Sequence, residues 1–281
     1  MGIILNSLAL YVFCFQTKVR TPSVIYTINL VVTDLLVGLS LPARIVMYYR
    51  NVETCYICYY VHSFTYSVNM YCSILFLTCI CVDRYLAIVQ ARASCRWRNP
   101  SYAKCICVLI WIFAVIVTFI ILTTTINHKH CCFFQLLMLT GFEYFVPLVI
   151  VVFYTLRIMW TLSKSIQMNQ SRERERRVKA VQLLIMVLVI FTVCFTPIHV
   201  SQVVFCVRSE VSRDVILIVY HVTVTLSSFN SCMDPIVYCF VTSHFQSARN
   251  SIFREQPPPV PFNSPCPCRR QLALGARRIQ E

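Results

Sequence analysis

The chain has 281 residues, 58% of them hydrophobic and 13% charged, with a formal net charge of +14. Ordinary soluble domains carry about 25% charged residues, so this balance excludes that class and fits a polytopic membrane protein. The positive excess reads as topology and attraction to anionic inner-leaflet lipid rather than as nucleic-acid binding, which would want a soluble basic domain.

Apolar stretches fall near residues 1–16, 22–49, 58–90, 102–126, 134–162, 178–207 and 213–240. Each except the first exceeds the roughly 20 residues that a helix needs to cross a bilayer. The alternating segments of about ten residues that mark a membrane barrel are missing. The expected fold is therefore an all-α seven-helix transmembrane bundle, because helices must satisfy the backbone inside lipid. All Lys and Arg except Arg44, Arg50, Lys129, Arg208 and Arg213 lie in the linkers after spans one, three and five, at the adjoining span ends, or in the tail. By the positive-inside rule these segments face the cytoplasm.

Span one carries Asn6, a lone amide expected to hydrogen-bond across to another helix. Met1 to Phe15 would rise only about 22 Å, so span one is expected to be truncated. Span two carries Asp34 well inside the membrane, where a carboxylate is neutral, paired or holding a cation with hydroxyls and amides. Pro42 is expected to bend its outer half, and Arg44 stands near its outer end, able to meet an anionic ligand, snorkel or pair with Glu53.

Span three ends in Asp83-Arg84-Tyr85, an acid and a base placed together where an apolar helix meets water. Such charges cost several kcal/mol of desolvation unless partnered; the competing reading is a snorkelled helix-end ion pair. Most of the 17 cysteines lie in apolar helix and read as packing residues. Cys55, Cys58, Cys131 and Cys132 fall on the oxidising side. A bridge from Cys58 to Cys131 or Cys132 would tie span three to the loop after span four. A zinc site from these thiols with His128 and His130 is the weaker alternative. Glu143, one turn before Pro147 in span five, is hard to explain as packing.

Further on, SRERERRVKAVQLL reads as an amphipathic continuation of span six, with Glu173 and Arg177 four apart. After span seven, VTSHFQSARNSIF places Val241, Phe245, Ala248, Ile252 and Phe253 on one face of a short interfacial helix. Residues 1–254 thus form the membrane domain, and the Pro-rich 255–281, with Cys266 and Cys268, a disordered cytoplasmic tail. Asn169-Gln170-Ser171 matches the glycosylation pattern but lies on the cytoplasmic side.

Asn6, LVVTD ending at Asp34, Asp83-Arg84-Tyr85, Trp111, Pro147, CFTP with Pro197, and NSCMDPIVY with Pro235 and Tyr238 supply one marker per helix, in order. Together they resemble the rhodopsin-like (class A) G-protein-coupled receptors over about residues 1–250. The resemblance implies that Arg84 meets a heterotrimeric G protein on activation, with the inhibitory class expected. It implies that Asp34, Asn69, Ser73, Asn230, Ser231 and Asp234 form an interior sodium and water cluster, whose hard oxygen ligands suit a small hard cation. Tyr238 would be the switch tyrosine, with bends at Pro197 and Pro235.

Departures from the family pattern carry as much meaning. Phe195 replaces the usual span-six Trp, and Thr155 stands at the usual span-five tyrosine position with Tyr154 one place earlier. Arg177 occupies the place of the acid that locks Arg84 in the inactive family state, so repulsion is expected to raise ligand-independent signalling; Glu175 is the candidate replacement. Tyr66 stands where amine receptors carry an aspartate, and Ser228 where opsins carry a lysine, which argues against amines and a Schiff base. Remaining ligand candidates are Arg44, His62, Tyr66, Glu143, His199, Gln202, Tyr220 and His221, favouring an anionic or zwitterionic small-molecule or lipid-like ligand. No enzyme is expected, since no nucleophile or metal set clusters. A seven-helix transporter lacks the internal repeat it would want, and a signalling-dead decoy is the other alternative. The expected location is the plasma membrane.

Overall fold

The structure, a computed structural model, describes residues 2–17, 20–49, 56–90, 98–127, 140–164, 171–207 and 212–241; within these, every regular element is helical. Span one is α1 (Gly2–Tyr11) with a π turn at Val12–Gln16. Spans two, three and four are α2 (Pro22–Tyr49), α3 (Tyr56–Ile88) and α4 (Pro100–Asn127). Span five is a π turn at Gly141–Phe145 leading into α5 (Val146–Lys164). Span six runs from α6 (Ser171–Ile190) through a π turn at Phe191–Phe195 into α7 (Thr196–Val207), and span seven joins α8 (Arg213–Ser228) to α9 (Asn230–Val241). The helix from Ser171 through the SRERERRVKAVQLL segment is the expected extension of span six. Six of the rods are long and apolar enough to cross a bilayer, and Gly2–Phe15 is a shorter apolar helix. The interfacial helix and tail expected over 242–281 lie outside the described residues.

Two span starts follow from their first residues. Thr21 precedes Pro22, and its Oγ1 accepts the Val24 backbone N–H at 3.4 Å; Asn99 precedes Pro100, and its Oδ1 accepts from Ser101 N–H at 3.0 Å. A polar cap followed by proline, which loses no helical hydrogen bond at that position, is a strong start signal. Both starts lie at the end of the bundle that carries Arg84, called here the basic end.

Span three is the axis. It packs on spans two, four, five and six, while span seven closes against spans one, two and six. Spans two and three are equally enclosed, 61% of each apolar core lying inside the protein against 22% for span four, whose outward face carries Val108, Leu109, Ile112, Ile116 and Phe119. Apolar side chains facing outward all along a helix suit lipid rather than water. Span one approaches span two closely at Gly38, where a Cβ would come within 2.7 Å of Ile3 Cγ1, a use of a small residue common between membrane helices.

Proline explains the cross-link between spans one and seven. Pro235 has no N–H, so the Ser231 carbonyl four residues earlier loses its helical donor. Asn6 Nδ2 fills that gap, donating to Ser231 O at 2.9 Å and also to Gly2 O at 3.0 Å. The expected interhelical role of Asn6 is thus met, with a specific acceptor. Asn6→Leu should lower stability by about 1 kcal/mol, and Pro235→Ala in the same chain should recover part of it by returning a donor to Ser231 O. Thermal unfolding of the four chains in detergent measures the coupling, and purely additive losses would rule this pairing out.

Candidate functional site

Polar groups gather at three levels along span three. At the basic end, Asp83 is buried with both carboxylate oxygens engaged: Arg98 Nε donates to Oδ1 at 2.9 Å, and Ser23 Oγ donates to Oδ2. The two caps described above position these donors, since Ser23 lies in the first turn of α2 and Arg98 just before the cap of α4. Arg84 does not supply either bond. Its buried Nε has no hydrogen-bond partner, so the adjacent acid and base are not joined by a direct bond, although the Asp83 charge still acts on Arg84. Neighbouring residues on a helix point about 100° apart, which is why sequence adjacency misleads here. Tyr85 is buried and packs its ring on Tyr154 of span five at 4.5 Å between centroids, while Thr155 is buried and bonded to Val151 O at 2.7 Å. The side chains of Glu175, Arg177 and Tyr238 lie outside the described residues.

At mid-depth, Asp34 accepts from Asn69 Nδ2 at 3.0 Å and from Ser231 Oγ at 2.8 Å. Ser73, Asn230 and Asp234 are buried around it. Ser73 Oγ is buried without a partner, and the Asp234 carboxyl lies against the Asn230 side chain and the Asp34 carboxyl, so that two buried acids share one site. Buried polar atoms without partners are costly, and such a cluster has the chemistry of a site for a cation or ordered water. Among the described residues, three or more His, Cys, Asp or Glu nowhere converge on a metal position, so a sodium site here would rely on two carboxylates with neutral oxygens. Beside this cluster, Trp111 Nε1 donates to Asn29 Oδ1 at 3.0 Å, and Asn29 donates to Cys107 Sγ at 3.3 Å, joining span four to span two.

At the far end, span three is held by its cystine: Cys58 is disulfide-bonded, and Cys131 and Cys132 lie outside the described residues. That bond removes Cys58 from the alternative zinc set. His62 Nδ1 meets Ser40 Oγ at 3.1 Å, and its ring faces Tyr66 at 6.3 Å. Arg44 and Gln202 are half-buried, whereas Tyr220 and His221 are exposed. Glu143 and His199 are brought together: Oε1 and Nε2 lie 4.0 Å apart, and both residues are buried. His199 Nδ1 is 2.8 Å from Phe195 O, and the ring stacks on Tyr144 at 4.4 Å. Tyr144 in turn meets Thr196 Oγ1 at 2.5 Å. Phe195 is buried with its ring edge-on to Phe191.

Sequence reasoning missed Arg98 and Ser23 as partners of Asp83, and Tyr144 and Thr196 as the link between spans five and six. Nothing in their spacing signalled those contacts.

A central axis bearing Arg84 at one end, a buried carboxylate cluster in its middle and a cystine at the other defines a seven-helix membrane receptor. The sequence model of the seven-transmembrane receptor (rhodopsin family) matches residues 5–238, and the chain belongs to that family. It is 53% identical over 252 residues to G-protein coupled receptor 20 of Homo sapiens, covering 90% of this chain and 69% of that one. Proteinase-activated receptor 2 of Homo sapiens is 34% identical over 278 residues (90% and 68% covered), and the uracil nucleotide/cysteinyl leukotriene receptor of Homo sapiens 30% over 268 residues (88% and 72% covered). The chain is thus a class A receptor rather than an enzyme, with a G protein and a ligand as the partners its family implies.

The Glu143–His199 separation is longer than a hydrogen bond, and Glu143 Oε1 and His199 Nε2 have no other partner. Replacing both by apolar residues removes two buried unsatisfied groups at once. Glu143→Leu with His199→Phe should therefore match or exceed the parent in thermal stability, whereas either single change should gain less. A double variant that unfolds well below both singles would show a stabilising bond between them.

Proposed function

We propose that the chain is a plasma-membrane receptor, its carboxyl terminus in the cytoplasm, that activates heterotrimeric G proteins of the inhibitory class with raised ligand-independent output. The observation that carries this is Arg84, whose buried Nε lacks a partner at the basic end. In the family pattern this arginine is restrained until activation, and here Arg177 stands in place of the restraining acid. The inhibitory class follows the likeness to G-protein coupled receptor 20. Basic linkers and tail favour contact with anionic inner-leaflet lipid.

Ligand recognition is assigned to the far end, around Arg44, His62, Tyr66, Glu143, His199, Gln202 and Tyr220. An arginine with imidazoles and phenols suits an anionic or zwitterionic group on a small-molecule or lipid-like body. Sodium is assigned to Asp34, Asn69, Ser73, Asn230, Ser231 and Asp234. The unpartnered Ser73 Oγ and the approach of the Asp34 and Asp234 carboxyls support that fit, and the ion would supply the positive charge that two adjacent buried acids call for.

Basal cyclic AMP after forskolin tests the function. The response should be lowered in cells carrying the chain without added ligand, and recovered by Arg84→Ala and by Arg177→Glu at matched surface expression. Equal responses in all of these and in cells without the chain would instead favour a signalling-silent receptor. For the cation, replacing choline by sodium at constant ionic strength should raise the thermal stability of the parent in detergent. Asp34→Asn should abolish that difference, and a sodium effect that survives the substitution would place the ion elsewhere.

A further inference from the structure

Asp83 and Arg84 follow one another in the chain, yet each carboxylate oxygen takes its bond from another donor. Arg98 Nε holds Oδ1 at 2.9 Å and Ser23 holds Oδ2, while Arg84 Nε is buried without a hydrogen-bond partner. One acid thus stands between two guanidiniums and is bound to the more distant in sequence.

Solvent position favours that choice. The Arg98 side chain is 30% exposed and that of Asp83 4%, so Arg98 keeps part of its hydration while making the bond. Direction favours it as well, because Ser23 and Arg98 sit at helix starts that meet the Asp83 face of span three. Exchanging one guanidinium for the other conserves charge and the kind of bond. The balance is therefore set by small differences in geometry and hydration.

We propose that Arg98 is a release residue: by occupying Asp83 it withholds that carboxylate from Arg84 and keeps Arg84 available to the G protein without a ligand. This rests on the ligand-independent reading above and names the contact that produces it. Arg98 acts through Asp83 as a positioning residue, and nothing requires it to touch the G protein. Two restraints on Arg84 are then absent together, one because Arg177 replaces an acid and the other because Arg98 holds the remaining one.

The test uses the full chain at matched surface density, with ligand-free dissociation read for all classes of G protein. Arg98→Ala should lower that output about fivefold, the scale of a modest coupling between sites. Arg98→Lys, which keeps a cation within reach of Asp83, should restore part of it. Adding Asp83→Asn to Arg98→Ala should restore the output, since the acid that would capture Arg84 is gone. Output unchanged or raised in Arg98→Ala, or unrestored in the double variant, overturns the proposal.

A thermal cycle on purified chain separates this from the reading it rests on. Asp83→Asn and Arg84→Gln should be additive when Arg98 is present and coupled when residue 98 is alanine. Equal coupling in both backgrounds overturns the assignment of Arg98. If the parent gives no more dissociation than cells lacking it, the ligand-independent reading fails, and the cycle alone then decides the role of Arg98.

Discussion

Inside hydrocarbon, water cannot satisfy a freed backbone carbonyl, and the prolines of this chain free several. Three of these prolines have a local device beside them. At Pro235 it is the side chain of Asn6, reaching from span one to the Ser231 carbonyl. At Pro147 and Pro197 it is a π turn ending two residues earlier, at Phe145 and Phe195. A widened turn relieves the clash between the proline ring and the carbonyl four residues before it, and reorients the side chains on either side. Glu143 lies within one such turn, and His199 follows the other. The facing of these two buried residues is therefore a consequence of how two helices accommodate proline.

Helix-scale features were legible in the sequence because they rest on composition and local chemistry. Apolar length marked the spans, whereas the caps at Thr21-Pro22 and Asn99-Pro100 that fix two span starts went unread, and span four begins earlier than its apolar stretch. Asn6 was readable as an interhelical donor because a lone amide in lipid has few other uses. Grouping Asp34 with Asn69 and Ser231 came from resemblance, and the structure supplies the bonds. The partner of Asp83 was not legible. Adjacent residues on a helix diverge, and the choice between Arg84 and Arg98 depends on where the segment before span four meets the start of span two. Glu143 and His199 are 56 positions apart in the numbering, and only the packing of spans five and six reveals their approach.

Bonded and unbonded polar groups both lie between the spans. Among spans two to four and the turn before span four, polar side chains pair: Asp83 with Ser23 and Arg98, Asn29 with Trp111, Asp34 with Asn69, and Ser40 with His62. The partnerless buried atoms include Ser73 Oγ and Arg84 Nε on span three, Thr118 Oγ1 on span four, Glu143 Oε1 on span five and His199 Nε2 on span six. Spans five to seven carry bonds as well, Tyr144 with Thr196 and Ser231 with Asp34, so unmet groups are scattered through the bundle.

Those unmet groups bear on how a receptor of this build could change state. A shift of span six relative to span three would disturb packing but leave the bonds within spans two to four intact. A ligand, an ion or a protein that supplied partners to the unmet groups would stabilise whichever arrangement let it do so. Differential satisfaction of the same buried atoms is enough to bias such an equilibrium, because a partnerless polar group in a low-dielectric interior costs about 1–3 kcal/mol. Arg84 at the basic end and Glu143 with His199 at the far end are both unmet in this way. The sequence of span three, with its polar residues spaced along an otherwise apolar rod, connects them.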